Sequence, residues 1–126
     1  MAKTLNDFVQ EALKTVPEVT PEEAHRIQEA GEHTILDVRE PEEYAEGHIP
    51  GAINVPRGFL EVKADLEHPK KDARLADRDQ KLLIYCAGGN RSALAGKTLQ
   101  DMGFTQVTHM AEGYTGWAKR DLPSDK

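Results

Sequence analysis

Leu82-Leu83-Ile84-Tyr85-Cys86-Ala87-Gly88-Gly89-Asn90-Arg91-Ser92 is the stretch from which the rest of the chain can be read. An apolar run from Leu82 to Tyr85 ends on the only cysteine, Cys86, and a Gly-Gly-Asn loop leads to Arg91 and Ser92. A helix-like segment follows, Ala93 to Met102. This order predicts a buried strand, a tight loop and a helix start, with a thiol placed where the sheet ends. Open α/β sheets bind ligands at the carboxyl ends of their strands. A helix start presents unpaired N–H groups and the positive end of a dipole. Successive N–H groups in a glycine-rich turn form an anion-binding nest. A thiol held there is expected to lose its proton readily, because the thiolate is the form such a site stabilises. Gly88 and Gly89 are expected to supply positive φ and close backbone approach, with Asn90 the next best residue for such a position. The bland alternative for Cys86 is a small buried hydrophobe.

Working outward, Thr34-Ile35-Leu36-Asp37-Val38, Ala52-Ile53-Asn54-Val55 and Val107-Thr108-His109-Met110 read as further strands. Helical pieces alternate with them. Thr20-Pro21-Glu22-Glu23 is a capping box with proline at the first helical position, and Gly31 ends that helix. Leu5, Phe8, Val9, Ala12, Leu13 and Val16 fall at helical spacing before Pro17. Residues 57–66 are expected to form a helix with Phe59, Leu60, Val62 and Leu66 inward, and 67–80 a solvated loop. Gly103 stops the helix after the cysteine loop, and a glycine-rich segment from Glu112 to Trp117 leads into a last helix. The alternation predicts an α/β fold: a parallel sheet of four to five strands with helices on both faces. We expect one domain over 1–126, with 1–19 an N-terminal helical appendage and 20–123 the core.

The chain has 126 residues and a net charge of −6, with 30% charged residues. That balance argues against nucleic acid and anionic membrane as partners. Loop dipoles act at shorter range than the screened net field, so an anionic substrate remains compatible. A single cysteine makes no internal disulfide, in keeping with a reducing compartment. Residues 1–10 carry no long apolar run, so a cytoplasmic location is expected. No cofactor or metal is implied by the motifs.

Four segments, in order, resemble the single-domain rhodanese family. Leu36-Asp37-Val38-Arg39 with Glu42 and Tyr44 resembles its first signature, and Gly47-His48-Ile49-Pro50-Gly51-Ala52-Ile53-Asn54 its second. Cys86 through Ser92 is similar to its active-site loop, and Glu112 through Trp117 to its closing segment. The resemblance runs from about Thr20 to Pro123. It implies a rhodanese-like fold and a sulfurtransferase. Cys86 would take the outer sulfur of thiosulfate or another small anionic donor and hold it as a persulfide. Cyanide, a small thiol or a protein sulfur acceptor would then remove it. Ala87, Gly88, Gly89, Asn90, Arg91 and Ser92 would bind the substrate, and Asp37 would brace the loop, its plain alternative being a capping or turn carboxylate. Arg91 would hold the sulfonate end of the donor or steady the loop, its plain alternative being a surface ion pair. Ser92 would cap the helix, with a lesser role as an extra donor, and Arg39 would pair with an acid. His48 is expected to bond to backbone in a turn, and Trp117 to sit in the core or pocket wall.

Many members that use thiosulfate have a basic residue directly after the cysteine, where this chain has Ala87. A persulfide donor is the alternative this opens. Two rival functions are a cysteine phosphatase or arsenate reductase, and a non-catalytic regulatory module. The related phosphatase loops place five residues between cysteine and arginine, and here four intervene. The shorter loop makes a smaller cradle, suited to one sulfur atom. Inactive rhodanese-like domains usually lack the cysteine, and Cys86 is present.

Overall fold

In a computed structural model, which describes residues 2–126, five parallel strands and six α-helices alternate along the chain. They are α1 (Leu5–Leu13), β1 (Glu18–Val19), α2 (Pro21–Ala30), β2 (Thr34–Asp37), α3 (Pro41–Glu46), β3 (Ile53–Asn54), α4 (Leu60–Ala64), β4 (Lys81–Tyr85), α5 (Asn90–Asp101), β5 (Gln106–Met110) and α6 (Gly113–Lys119). The strands run in the order β1-β5-β4-β2-β3. Every neighbouring pair is parallel, as the α/β reading predicts.

The period-2 pleat divides the core. Leu82 and Ile84 face one layer with Leu36, Val107, Ala95 and Leu99, under α4 and α5. Leu83 and Tyr85 face the other with Ile35, Met110, Ala24 and Trp117, under α2 and α6. All four β4 residues from Leu82 to Tyr85 are fully buried, which explains why they read as one unbroken apolar run. The Thr20 capping box forms as expected: Glu23 N–H donates to Thr20 Oγ1 at 3.1 Å and Thr20 N–H to Glu23 Oε1 at 2.8 Å.

Two features depart from the sequence reading. The helix expected over 57–66 is a 3₁₀ turn, Arg57–Phe59, followed by the five-residue α4. Only Leu60 and Ala64 are buried; Phe59 and Leu66 are exposed. So short a helix turns one narrow stripe inward and cannot bury all four apolar residues. The segment before Thr20 also does more than append a helix. Val16 packs in the main core, and Glu18 and Val19 pair with His109 and Met110 as an edge strand. The charged stretch 67–80 is pinned by a turn that buries Leu75, and Arg78 donates to the Ala64 and Leu75 carbonyls.

Candidate active site

β4 delivers Cys86 to the carboxyl end of the sheet, beside the place where the chain leaves β4 and β2 toward opposite edges. Open α/β folds form their binding crevice at such a reversal. Cys86 is 1% exposed, and its surroundings are not purely aliphatic. The N–H groups of Gly89 and Ser92 donate to Sγ at 3.1 and 3.3 Å, and Sγ lies 3.4 Å from Ser92 Oγ. Behind them runs the twelve-residue α5, so its positive dipole end points at the sulfur. A thiol ringed by donors is arranged to carry negative charge.

The helix begins at Asn90, three residues before the expected Ala93. This shift corrects three expectations. Ser92 does not cap the helix. It lies in the first turn, where its N–H is one of the orphan donors and turns to the sulfur, while the capping position belongs to Gly89. Asn90 is the first helical residue and has no positive φ. Of the two loop glycines only Gly89 is left-handed, at φ 108°; Gly88 is open to solvent and lies outside that region.

The loop is held from behind by the closing segment. Tyr114 N–H donates to the Cys86 carbonyl at 2.7 Å and Thr115 N–H to that of Ala87 at 3.1 Å. Gly113 makes this approach possible. A Cβ built there would stand 2.5 Å from the Cys86 and Ala87 carbonyl oxygens. Glycine at this position thus has a steric reason.

Arg91 is not free. Its guanidinium makes a two-pronged pair with Glu43 of α3, and holds the Glu43 carboxyl below the usual carboxylate range. Asp37 does not reach the cysteine loop. Its carboxylate is fully buried and accepts from the Arg39 side chain at 2.7 to 3.1 Å and from Arg39 N–H at 2.9 Å. Arg39 in turn donates to the Gly47 carbonyl at 2.8 Å and lies 4.4 Å from the Tyr114 ring centroid. The expected brace therefore acts on the segment from Arg39 to Gly47, which carries α3, through the Arg39 guanidinium. Arg39 itself pairs with an acid, as read.

His48 bonds to the Tyr44 carbonyl through Nδ1 at 2.9 Å and stacks on the Tyr44 ring, the turn role expected of it. Trp117 is buried, donating from Nε1 to the Pro123 carbonyl at 2.8 Å. A cleft of about 280 Å³ lined by Arg39, Glu43, Glu46, Gly47 and Tyr114 lies on the α3 side, next to the Arg91 pair.

Two site residues went unnoticed in the sequence. His109, 1% exposed, sits at 2.8 Å from Ser92 Oγ through Nδ1 and at 2.8 Å from Glu18 Oε2 through Nε2. A histidine and a glutamate on two strands, 91 residues apart, leave no local signal. The one available clue was a polar residue in an otherwise buried strand end. Among the described residues no group of three or more His, Cys, Asp or Glu could hold a metal ion. No helix among them is long and apolar enough to cross a membrane.

Residues 20–120 match the sequence profile of the Rhodanese-like domain. The chain is 38% identical over 104 residues to thiosulfate sulfurtransferase 16, chloroplastic, of Arabidopsis thaliana, covering 80% of this chain and 86% of that protein. Against several other curated relatives it spans between 54% and 65% of their length. Among solved structures it is similar to RPA3614 of Rhodopseudomonas palustris CGA009, a protein of unknown function described as a "Possible Tyrosine Phosphatase". The TM-score is 0.93 at 34% identity, covering 99% and 96% of the two chains. The human single-domain sulfurtransferase TSTD1 superposes with a TM-score of 0.74 at 28% identity, over 83% of this chain and 97% of that one.

Proposed function

The chain belongs to the family of rhodanese-like domains, with sulfurtransferases among its relatives, and on that premise we propose that it moves a sulfane sulfur through a persulfide on Cys86. The observation that carries this reading is the pair of amides, Gly89 and Ser92, directed at Sγ from the start of α5. The Cys86 thiolate attacks the outer sulfur of the donor. With thiosulfate, the sulfur–sulfur bond of the donor breaks, sulfite leaves, and Cys86 keeps an S–S group whose terminal sulfur is anionic. An acceptor then attacks that terminal sulfur. Cyanide leaves as thiocyanate, a thiolate leaves as a persulfide, and the Cys86 thiolate returns. Covalent capture divides one hard transfer into two easier ones. Preorganised donors stabilise the charge at each stage, and a helix start has further N–H groups without intrahelical partners to offer the outer sulfur.

Two features favour a persulfide donor over thiosulfate. Ala87 stands where a basic residue would meet a sulfonate, and the Arg91 charge is already matched by Glu43. A low-molecular-weight thiol persulfide, or a persulfide on a protein, asks for less positive charge than a dianion. A small thiol or a protein is the acceptor this reading calls for, in a reducing compartment such as the cytoplasm. Phosphate-ester hydrolysis fits less well. Four residues separate Cys86 from Arg91, and Arg91 is engaged by Glu43.

The test is mass spectrometry of the protein after exposure to thiosulfate or to a small-molecule persulfide. We expect a gain of one sulfur on Cys86, faster with the persulfide, no gain in Cys86→Ser, and no hydrolysis of p-nitrophenyl phosphate. An unmodified Cys86 with either donor would overturn the reading.

A further inference from the structure

We propose that Ser92, His109 and Glu18 form a proton relay that takes the proton of the buried Cys86 thiol toward the edge of the sheet. The inference rests on Cys86 being the nucleophile and on nothing about its donor. Cys86 is 1% exposed, so solvent bases reach its proton poorly. A continuous chain of contacts leads away from it. Sγ lies 3.4 Å from Ser92 Oγ, Oγ lies 2.8 Å from His109 Nδ1, and Nε2 lies 2.8 Å from Glu18 Oε2. The Glu18 side chain is 44% exposed, so the chain ends at water. Three separate elements, α5, β5 and β1, supply the three groups.

The chemistry of each group sets the direction. A carboxylate offers Nε2 only lone pairs, so the neutral imidazole carries its proton there and Nδ1 is left as an acceptor. The Ser92 hydroxyl then donates to Nδ1, and its oxygen accepts from the Cys86 S–H. The Gly89 carbonyl, at 3.2 Å, is a second acceptor for that hydroxyl. Using it would force a proton onto Nδ1 and set the Nε2 lone pair against the carboxylate.

The transfer balances. The Cys86 S–H bond breaks and its proton joins Ser92 Oγ, while the serine's own proton passes to Nδ1. A thiolate and an imidazolium result. In that state the thiolate accepts from the Gly89 N–H, the Ser92 N–H and the Ser92 O–H. Nδ1–H donates to Oγ, and Nε2–H stays on Glu18. Every proton has an acceptor before and after. Burial holds the His109 pKa below its ordinary value of 6.5, with Glu18 opposing, so the ring is neutral near pH 7 and free to accept. The charged and titratable groups that bear on the chain are Glu18 on β1, Cys86 after β4 and, on α5, the Arg91 guanidinium, which feels the Cys86 charge but is paired with Glu43. Ser92 touches the reacting sulfur; His109 and Glu18 act through it and are positioning residues.

The test is the rate of Cys86 alkylation by iodoacetamide in the full chain, at about pH 7 and at about pH 10, on either side of the free-thiol range of about 8.5. His109→Asn keeps an acceptor near the Ser92 hydroxyl but takes no proton. We expect its rate at the lower pH to fall by about a hundredfold, the low end of general-base effects, with the high-pH rate within about twofold of the parent. Glu18→Gln, at an exposed carboxylate, tests the relay even if His109→Asn folds poorly. It should lose about two- to threefold at the lower pH only, since it weakens the base without removing it. A purely structural role would move both rates together or neither, and either pattern in the folded variants overturns the relay. Alkylation needs no sulfur donor. An intact alkylation pattern with no sulfur loading would therefore sink the sulfurtransferase reading and leave the relay standing.

Discussion

Arg91 and Glu43 join α5 to α3 through two hydrogen bonds, Nη1–Oε1 at 2.9 Å and Nη2–Oε2 at 3.2 Å. The Arg91 guanidinium is thus shared with a carboxylate that competes with any anionic donor. Both side chains are 35% exposed, so the pair adds about 1 kcal/mol or less to stability. Glu43→Gln should therefore leave folding nearly unchanged while releasing Arg91. We expect KM for thiosulfate to fall severalfold with kcat little altered, and KM for a neutral or singly charged persulfide to change less. Steady-state kinetics with both donors reads the difference.

The two loop glycines should behave unlike each other. Gly89 holds φ 108° and its N–H reaches Sγ; a Cβ there has room but not the backbone geometry. Gly89→Ala should cost about 1–2 kcal/mol, the usual penalty for a left-handed L-residue, and slow persulfide formation. Gly88 meets nothing within 4 Å of an added Cβ and is not left-handed, so Gly88→Ala should stay within about 0.5 kcal/mol of the parent. Urea denaturation of the two variants makes the comparison.

Much of the fold could be read in advance because its signals are local. The fully buried β4 is a continuous apolar run, and the Thr20 capping box lies within four residues. Cys86-Ala87-Gly88-Gly89 announced a loop of donors, though not which amides would turn inward. That depended on α5 starting at Asn90, directly after the left-handed Gly89 at its capping position. What stayed hidden is non-local. β1 is two residues long and exists only through its pairing with β5. Phe59 and Leu66 have the composition of core residues, but α4 is too short to turn them inward. Glu18 and His109 become neighbours only when the sheet forms.

The buried Asp37–Arg39 pair should be among the costliest side-chain contacts to break. Asp37→Ala leaves the Arg39 side chain, itself 5% exposed, without its counter-charge. Losing one partner of such a pair typically costs about 3–5 kcal/mol. We expect a large fall in the urea midpoint with the thiol chemistry of the remaining folded fraction preserved, because Asp37 does not touch the cysteine loop. Loss of Cys86 reactivity in a still-folded Asp37→Ala protein would contradict the geometry.

Stability should decline as pH falls below about 6.5, the ordinary histidine value. Burial pushes the pKa of His109 down against the pull of Glu18, and burial followed by Lys81 pushes that of His33 down. With folded values below the unfolded ones, the unfolded chain takes up protons first on acidification, so the stability held above that range is lost as pH drops. Glu43 and Asp72, lowered chiefly by hydrogen bonds from Arg91 and Arg74, lose their contributions only further down, below their ordinary 4.5 and 3.8. Urea midpoints at about pH 7.5, 6.5 and 5.5 should therefore fall in that order, and His109→Asn should flatten the slope.

The short edge strand bears on how the protein is cut for study. The profile shared with relatives starts at Thr20, yet Val16 fills the space beside Gly96 and Glu18 anchors the His109 ring. A fragment trimmed to the shared boundary would keep the nucleophile and its cradle but lose the imidazole's outer partner. On the proposed relay, its thiol would react more slowly near neutral pH while its sequence still looked whole.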